Sequence, residues 1–326
     1  MGAAEKQNLI HDSSEGEWLS IGLDAIRDTD VAPCDLFRRA GVTRFVLMAQ
    51  KDLLLPGNFK QRLQEIGLTN LYIRDCDVDF YLQYLHDTLQ ETVRNPHISS
   101  ERKAAIVYGS CQEIMRKVYD DPRASFINSS FGIIQPTVDF IISDNSAVKC
   151  LFKLTSYDES TYTHCTNVGI FGVALARRFF GAQAEKILRN LGAGFFLHDL
   201  GKCRIPLEIL NKPGPLTDEE RRIVNLHPDD GFEILQEAGI MTEEIKILTL
   251  QHHERDDGGG YPLGLSKNEI HPFARICRLV DVYEALTAKR PYHQPRGSFE
   301  ALKLMKEKVV TDMDQELFDY FIHLFF

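Results

Sequence analysis

The sequence predicts an α+β chain, with a small N-terminal α/β module followed by an all-α helical bundle. Short β-prone runs separated by turn residues stop near residue 75. From about Asp79 onward, apolar residues recur at three- and four-residue steps, the helical period. The histidines are also unevenly spread. Only His11, His86 and His97 precede residue 150 and eight follow it, so imidazole chemistry is expected in the helical half.

In the module, "WLSIGL", "RFVLMA" (Arg44 to Ala49) and "LYIR" (Leu71 to Arg74) read as strands. "NFKQRLQEIG" (Asn58 to Gly67) reads as a helix stopped by glycine. The first dozen or so residues are expected to be disordered, and the module carries no catalytic motif. Next, "FYLQYLHDTLQETV" and "SERKAAIVYGSCQEIMRKVY" have helical periodicity, with Asn95 and Pro96 between them and Ser99 or Ser100 suited to cap the second. No comparably clear strand follows residue 80, and no internal repeat is evident. "SDNSAVKCLFKL" could continue either part. The division is therefore drawn at 146/147: residues 1–146 form a regulatory or partner-binding module with connecting helices, and 147–326 the helical domain.

A chain of 326 residues with 44% hydrophobic content supports cores of this size. A net charge of -10 argues against general nucleic-acid binding, yet leaves room for a small anion at a local site. No apolar run of about 18 residues predicts a membrane span, and Met1 to Glu17 lacks the apolar core of a signal peptide. The seven cysteines are odd in number and form no CxxC, which predicts free thiols in a reducing cytoplasm and no structural zinc.

The chemistry begins at "FFLHDLGKCRIP". Leu188, Leu191, Phe195 and His198 follow helical steps, so His198 lies on a buried face with Asp199 beside it. Burying both is costly unless something pairs with them. Downstream come His227 in "NLHPDDG", His252 and His253 at the end of an apolar run, and Asp281 inside "ARICRLVDVYEAL"; upstream, His164 lies near the start of an amphipathic helix. Taken singly, His164 and His227 read as satisfied core or helix-end residues and Asp281 as an arginine's partner. Taken jointly, seven such residues at apolar helices point to metal. They are too many for one ion and suit two, with Asp199 as the natural bridge. Imidazoles and carboxylates without cysteine suit Fe, Mn, Co, Ni or Zn rather than Ca, with iron the first expectation and manganese the next. Water between two such ions loses a proton near neutral pH and attacks phosphorus.

These residues sit in strings that resemble the successive motifs of the HD-GYP family, within the HD superfamily of metal-dependent phosphohydrolases: "HDLGKCRIP", "LNKPGPLT", "EERRIVNLHPDDG", "HHERDDGGGYPLGL" and "ARICRLVDVYEALTAKRPY". The resemblance runs from about Tyr157 to the C-terminus. It implies an HD-type helical bundle around a binuclear metal site and hydrolysis of cyclic di-GMP to pGpG, in some members onward to GMP, in bacterial signalling. By the same resemblance His198, Asp199 and Asp281 belong to the first ion, with Asp199 bridging, and His227, His252 and His253 to the second. His164 matches the upstream histidine, Lys202 the motif lysine at the reacting phosphate, and Arg290 a phosphate-binding arginine. Tyr261, in the GYP loop, stacks on a guanine, bonds a phosphate or merely anchors the loop. The family's loop is also credited with contacting diguanylate cyclase domains.

Three positions depart from the pattern. Ser160 stands where some members have a glutamate for a third metal, with Glu159 one place off, which favours two metals and pGpG as main product. Glu284 replaces a common aspartate. His293 stands where lysine or arginine often follows "RPY", which weakens substrate binding near neutral pH, where imidazole is mostly neutral. Two rivals remain. One is another HD phosphohydrolase acting on nucleotides or guanosine polyphosphates, against which the complete GYP loop argues. The other is a low-activity effector that binds cyclic di-GMP or a cyclase.

Overall fold

The computed structural model describes residues 10–12, 18–144, 146–155, 160–181, 185–288, 296–308 and 314–325. The chain divides into two compact units, 1–88 and 89–326.

The first unit is built on an antiparallel sheet of β1 (Ile10–Asp12), β2 (Trp18–Gly22), β3 (Leu36–Arg39), β4 (Arg44–Ala49) and β5 (Asn70–Arg74), in spatial order β1-β4-β3-β5-β2. Alternation sets the register. Along β5, Leu71 and Ile73 turn inward and are fully buried, and Ile21 and Phe37 join them from β2 and β3. Trp18 stacks on Phe45 at 3.9 Å between ring centroids and meets Phe37 edge-on. Helix α1 (Phe59–Glu65) buries Phe59 and Leu63 and stops before Gly67, whose φ of 77° costs a residue without Cβ nothing.

Two strands depart from the sequence reading. β1 lies inside the stretch expected to be disordered: Ile10, His11 and Asp12 pair with Val46, Phe45 and Arg44. An edge strand needs only backbone donors and acceptors, so polar side chains do not forbid it. β3, "LFRR", is four residues long and half charged, too short for alternation to mark it.

Helix α2 (Val78–Arg94) runs across the division. Among the described residues, the regular elements of the second unit are all helices; the loop between Gln251 and Pro272 adds one isolated bridge, Asp257 with Ser266. The unit continues with α3 (Ser100–Asp120), α4 (Ala124–Ser143), α5 (Ala147–Leu154), α6 (Thr161–Phe180) and α7 (Glu185–Leu197). Ser99 caps α3, its hydroxyl accepting from the Arg102 amide at 3.3 Å. α3 and α4, expected to connect the module to a domain starting at 147, instead pack on α6 and α7, and the two compact units divide at Thr88/Leu89. α6 is buried without interruption from Thr163 to Ala176, which makes it the central helix of this unit.

Beyond α7 come a 3-10 turn at Leu200–Arg204, then α8 (Leu207–Leu210), α9 (Asp218–Val224), α10 (His227–Glu237), α11 (Glu243–Gln251), α12 (Pro272–Thr287), α13 (Ser298–Lys308) and α14 (Gln315–Ile322). Gly201 lets the 3-10 turn lie directly on α10. A Cβ there would be 2.0 Å from the His227 carbonyl oxygen and 2.5 Å from the Gly231 nitrogen, so only hydrogen fits. No described helix is long and apolar enough to cross a membrane.

Candidate metal centre

Five elements deliver the seven singled-out residues to one place. α6 carries His164, the end of α7 carries His198 and Asp199, and α10 opens with His227. His252 caps the end of α11 with His253 next to it, and Asp281 lies within α12. Apart from His164 and Asp281, all sit at helix ends, where the chain turns and leaves side chains pointing into the bundle. His164, His198, Asp199, His227 and His252 are buried.

Asp199 is at the middle. Its Oδ2 lies 3.3 Å from His164 Nε2 and 3.4 Å from His198 Nε2. Its Oδ1 lies 3.1 Å from His227 Nε2 and 3.4 Å from His252 Nε2. His164 Nε2 is also 3.2 Å from Asp281 Oδ1, and His253 Nδ1 is 4.0 Å from Asp281 Oδ2. Two sets of donor atoms result, each within 4.8 Å of one another: His164, Cys165, His198 and Asp199, and Asp199, His227, His252 and His253. Asp199 belongs to both.

Backbone carbonyls fix the imidazole tautomers. Nδ1–H of His198 donates to the Phe195 carbonyl at 2.8 Å and that of His227 to Val224 at 2.7 Å. His252 Nδ1–H donates to Leu248 and Thr249 at 2.9 and 3.0 Å. A carbonyl only accepts, so each of these Nδ1 atoms carries the proton and each Nε2 presents a lone pair to the centre. His227 Nε2 and His252 Nε2 face each other at 3.2 Å. Two lone pairs at that distance repel unless a proton or a metal ion is shared between them. His198 Nε2, His164 Nε2 and Asp199 Oδ1 are buried and make no hydrogen bond among the described residues. The donor set therefore fits metal.

Protonation agrees. Burial pushes His198 down to about 3 and lowers His227 and His253, which keeps these imidazoles neutral, the ligating form. Burial opposes ionisation of Asp199, but the Lys202 ammonium holds its carboxyl well below the usual range. Burial likewise resists a charged His164, yet the Glu284 carboxylate, with Asp199 and Asp281, raises it well above its usual value. Three carboxylates around one imidazole attract positive charge, and with no metal bound the proton supplies it. Burial would discharge Lys202, but Asp199 and then Asp281 raise it, so the ammonium persists. Its Nζ pairs directly with Asp199 Oδ2.

Residues 182–317 match the HD domain family. A cyclic di-GMP phosphodiesterase of Pseudomonas aeruginosa is 34% identical over 220 residues, covering 67% of this chain and 51% of that protein. A 3'3'-cGAMP-specific phosphodiesterase of Vibrio cholerae is 30% identical, covering 63% and 46%. An HDG"Y"P protein from Bdellovibrio bacteriovorus has the same fold, with a TM-score of 0.68 at 20% identity over 94% of this chain and 99% of that one. The chain resembles the HD-GYP family, and its residues 182–317 carry the match to the HD domain. It spans about half the length of the curated relatives it matches.

In the loop between α11 and α12, Tyr261 lies on the centre's wall. Its ring stacks on His253 at 4.8 Å and meets His227 edge-on at 6.2 Å. Arg290, His293 and Glu159 lie outside the described residues. Ser160 caps α6, its hydroxyl accepting from the Thr163 amide at 3.3 Å.

Three residues of the centre escaped sequence reasoning. Glu284 stood out only as a departure from a pattern; it is fully buried, with Oε2 2.5 Å from His164 Nδ1. Glu254, also buried, accepts from the amides of Leu263 (2.7 Å), Gly264 (3.1 Å) and Leu265 (2.8 Å), which pins the loop that carries Tyr261. Its signal was a carboxylate directly after the His-His pair. Cys165 bonds Tyr119 Oη at 2.9 Å, and burial pushes its thiol up to about 12, so it stays protonated and is a poor ligand although its Sγ lies beside the first donor set.

Proposed function

We propose that this chain is a metal-dependent phosphodiesterase that hydrolyses a cyclic dinucleotide, cyclic di-GMP first, to the linear pGpG. The observation that carries this reading is Asp199, whose two oxygens face two separate groups of inward-pointing Nε2 atoms. His164, His198, Asp199 and Asp281 would hold one divalent ion, and Asp199, His227, His252 and His253 another, iron first and manganese next. Bound there, the pair would supply Lewis-acid charge and lower the pKa of water at the phosphate.

The chain's own residues do the rest. The reaction adds water to phosphorus, breaks the P–O3′ bond and leaves a proton on the departing oxygen. Lys202 carries a lasting positive charge beside Asp199 and stabilises negative charge as it develops on the phosphoryl oxygens. A permanent ammonium suits that task and not proton abstraction. Arg290 would bind a phosphate, His293 would add a weaker contact than a lysine or arginine there, and Tyr261 would stack on a base. Ser160 is spent on capping α6, which supports two ions and pGpG as the main product. Docking of a diguanylate cyclase domain on the GYP loop is a further part of this proposal.

A second substrate is favoured by the relatives: Vibrio cholerae proteins 30%, 32% and 36% identical to this chain are 3'3'-cGAMP-specific phosphodiesterases. Anaerobic purification, a metal count and hydrolysis of both cyclic dinucleotides side by side test the whole reading. Two ions per chain and faster turnover of cyclic di-GMP are expected. A chain that takes up neither iron nor manganese on reconstitution sinks it.

A further inference from the structure

His164 is held from a helix that lies outside the matched HD domain. Four side chains form a buried line across three helices. Tyr108 on α3 lies 3.0 Å from Asn167 Oδ1 on α6, Asn167 Nδ2 lies 3.1 Å from Glu284 Oε1 on α12, and Glu284 Oε2 lies 2.5 Å from His164 Nδ1. Exposure is 7% at Tyr108, 2% at Asn167, 1% at Glu284 and 6% at His164.

The chemistry of these groups leaves one direction for the line. The Glu284 carboxylate only accepts, so Asn167 must turn its amide nitrogen toward it. Asn167 Oδ1 then faces Tyr108 and can only accept, so the phenol donates. Glu284 Oε2 accepts from His164 Nδ1–H, which aims His164 Nε2 at Asp199 and Asp281. Gln112, one turn along α3, donates to Thr163 Oγ1 at 3.2 Å, a second tie between the same two helices beside His164.

We propose that Tyr108 and Asn167 are positioning residues which, through Glu284, set the orientation and ligand strength of His164. This rests on the metal reading above. Groups that orient ligating histidines typically change metal affinity by about 10- to 100-fold when lost. Tyr108 acts at two removes, so a smaller loss is expected.

Manganese titration of the metal-free full chain tests it. Tyr108→Phe should weaken one of the two Mn²⁺ sites by about threefold to tenfold and leave the other within about twofold. Asn167→Leu should weaken the same site at least as much, and the double variant should match Asn167→Leu alone, because Tyr108 works through Asn167. Thr137→Val is the control. Thr137 Oγ1 lies 3.2 Å from Cys111 Sγ on the same α3 and donates to the Ile133 carbonyl, so its hydrogen bonds go to neither end of the line. It should lower the melting temperature in chelator and leave both manganese sites unchanged. Unchanged manganese binding in Tyr108→Phe, or additive losses in the double variant, overturns the proposal. A wild-type chain that binds no manganese overturns the metal reading and this assignment with it, a result distinct from intact binding that ignores Tyr108.

Discussion

The two units bury different kinds of matter. Among the described residues, no histidine, carboxylate, lysine or arginine is buried whole before Leu89: the sheet unit closes over Ile21, Leu36, Phe37, Leu71 and Ile73, with Cys34 and Tyr81. The helical unit buries His164, His198, Asp199, His227, His252, Glu254 and Glu284 along with its hydrocarbon. A hydrocarbon core needs only shape. A core of imidazoles and carboxylates is stable only when each charge and lone pair meets a partner. The sheet unit should therefore be indifferent to metal and mild acid, and the helical unit sensitive to both.

The largest test of that contrast is Asp199→Ala. Because one carboxylate serves both donor sets, this variant is expected to lose most of its metal and all hydrolysis, read by elemental analysis and product chromatography. Retention of two ions would remove Asp199 from the middle. Lys202→Ala should differ in kind. Its ammonium is not a ligand, so metal content should hold while turnover falls by about a hundredfold. Full turnover at full metal would make Lys202 a helix-end lysine and nothing more.

Acid gives a third test. An unfolded imidazole titrates near ~6.5, whereas folded His198 does so at about 3, with His227 and His253 also lowered. A depressed histidine leaves the unfolded chain binding more protons, so stability is full above about 6.5 and falls as pH drops toward the folded value. His198 alone implies a loss of about 2 kcal/mol between pH 7 and 5. His164, raised, works the other way over the same window, one residue against three. In chelator, helical circular dichroism should thus melt earlier at pH 5 than at pH 7. Trp18, the only tryptophan and a member of the sheet unit, should report a midpoint that moves less. Equal shifts in the two signals would erase the contrast.

The smallest expected effect lies on the surface of the helical unit. Thr217 and Glu220 cap α9 reciprocally, at 2.7 and 3.2 Å. Thr217→Ala should cost about 1 kcal/mol in a denaturant melt without changing metal content.

Much of this was legible in the sequence because chemistry and period coincide there. His198, Asp199, His252 and His253 are costly residues at the ends of greasy helices, and that conflict is visible without a structure. The strands with strong alternation were legible too. What was hidden depends on pairing at long range. β3 is recognisable only from its partner β4, and β1 only from its place at the sheet edge. Tyr108 and Asn167 are 59 residues apart and unremarkable singly. The division at Thr88/Leu89 falls within one continuous helix, where composition does not change.

Gly201 adds a consequence for anyone transplanting this centre. Its missing side chain is what allows the turn bearing Asp199 and Lys202 to rest on the backbone of α10, where even a methyl group would collide with the His227 carbonyl. Grafting the seven donor side chains onto another helical bundle would therefore reproduce the ligands without their spacing. The host would first have to bring two backbones into contact at one glycine. In a random mutagenesis screen, position 201 should score with the histidines, although it contributes no donor atom at all.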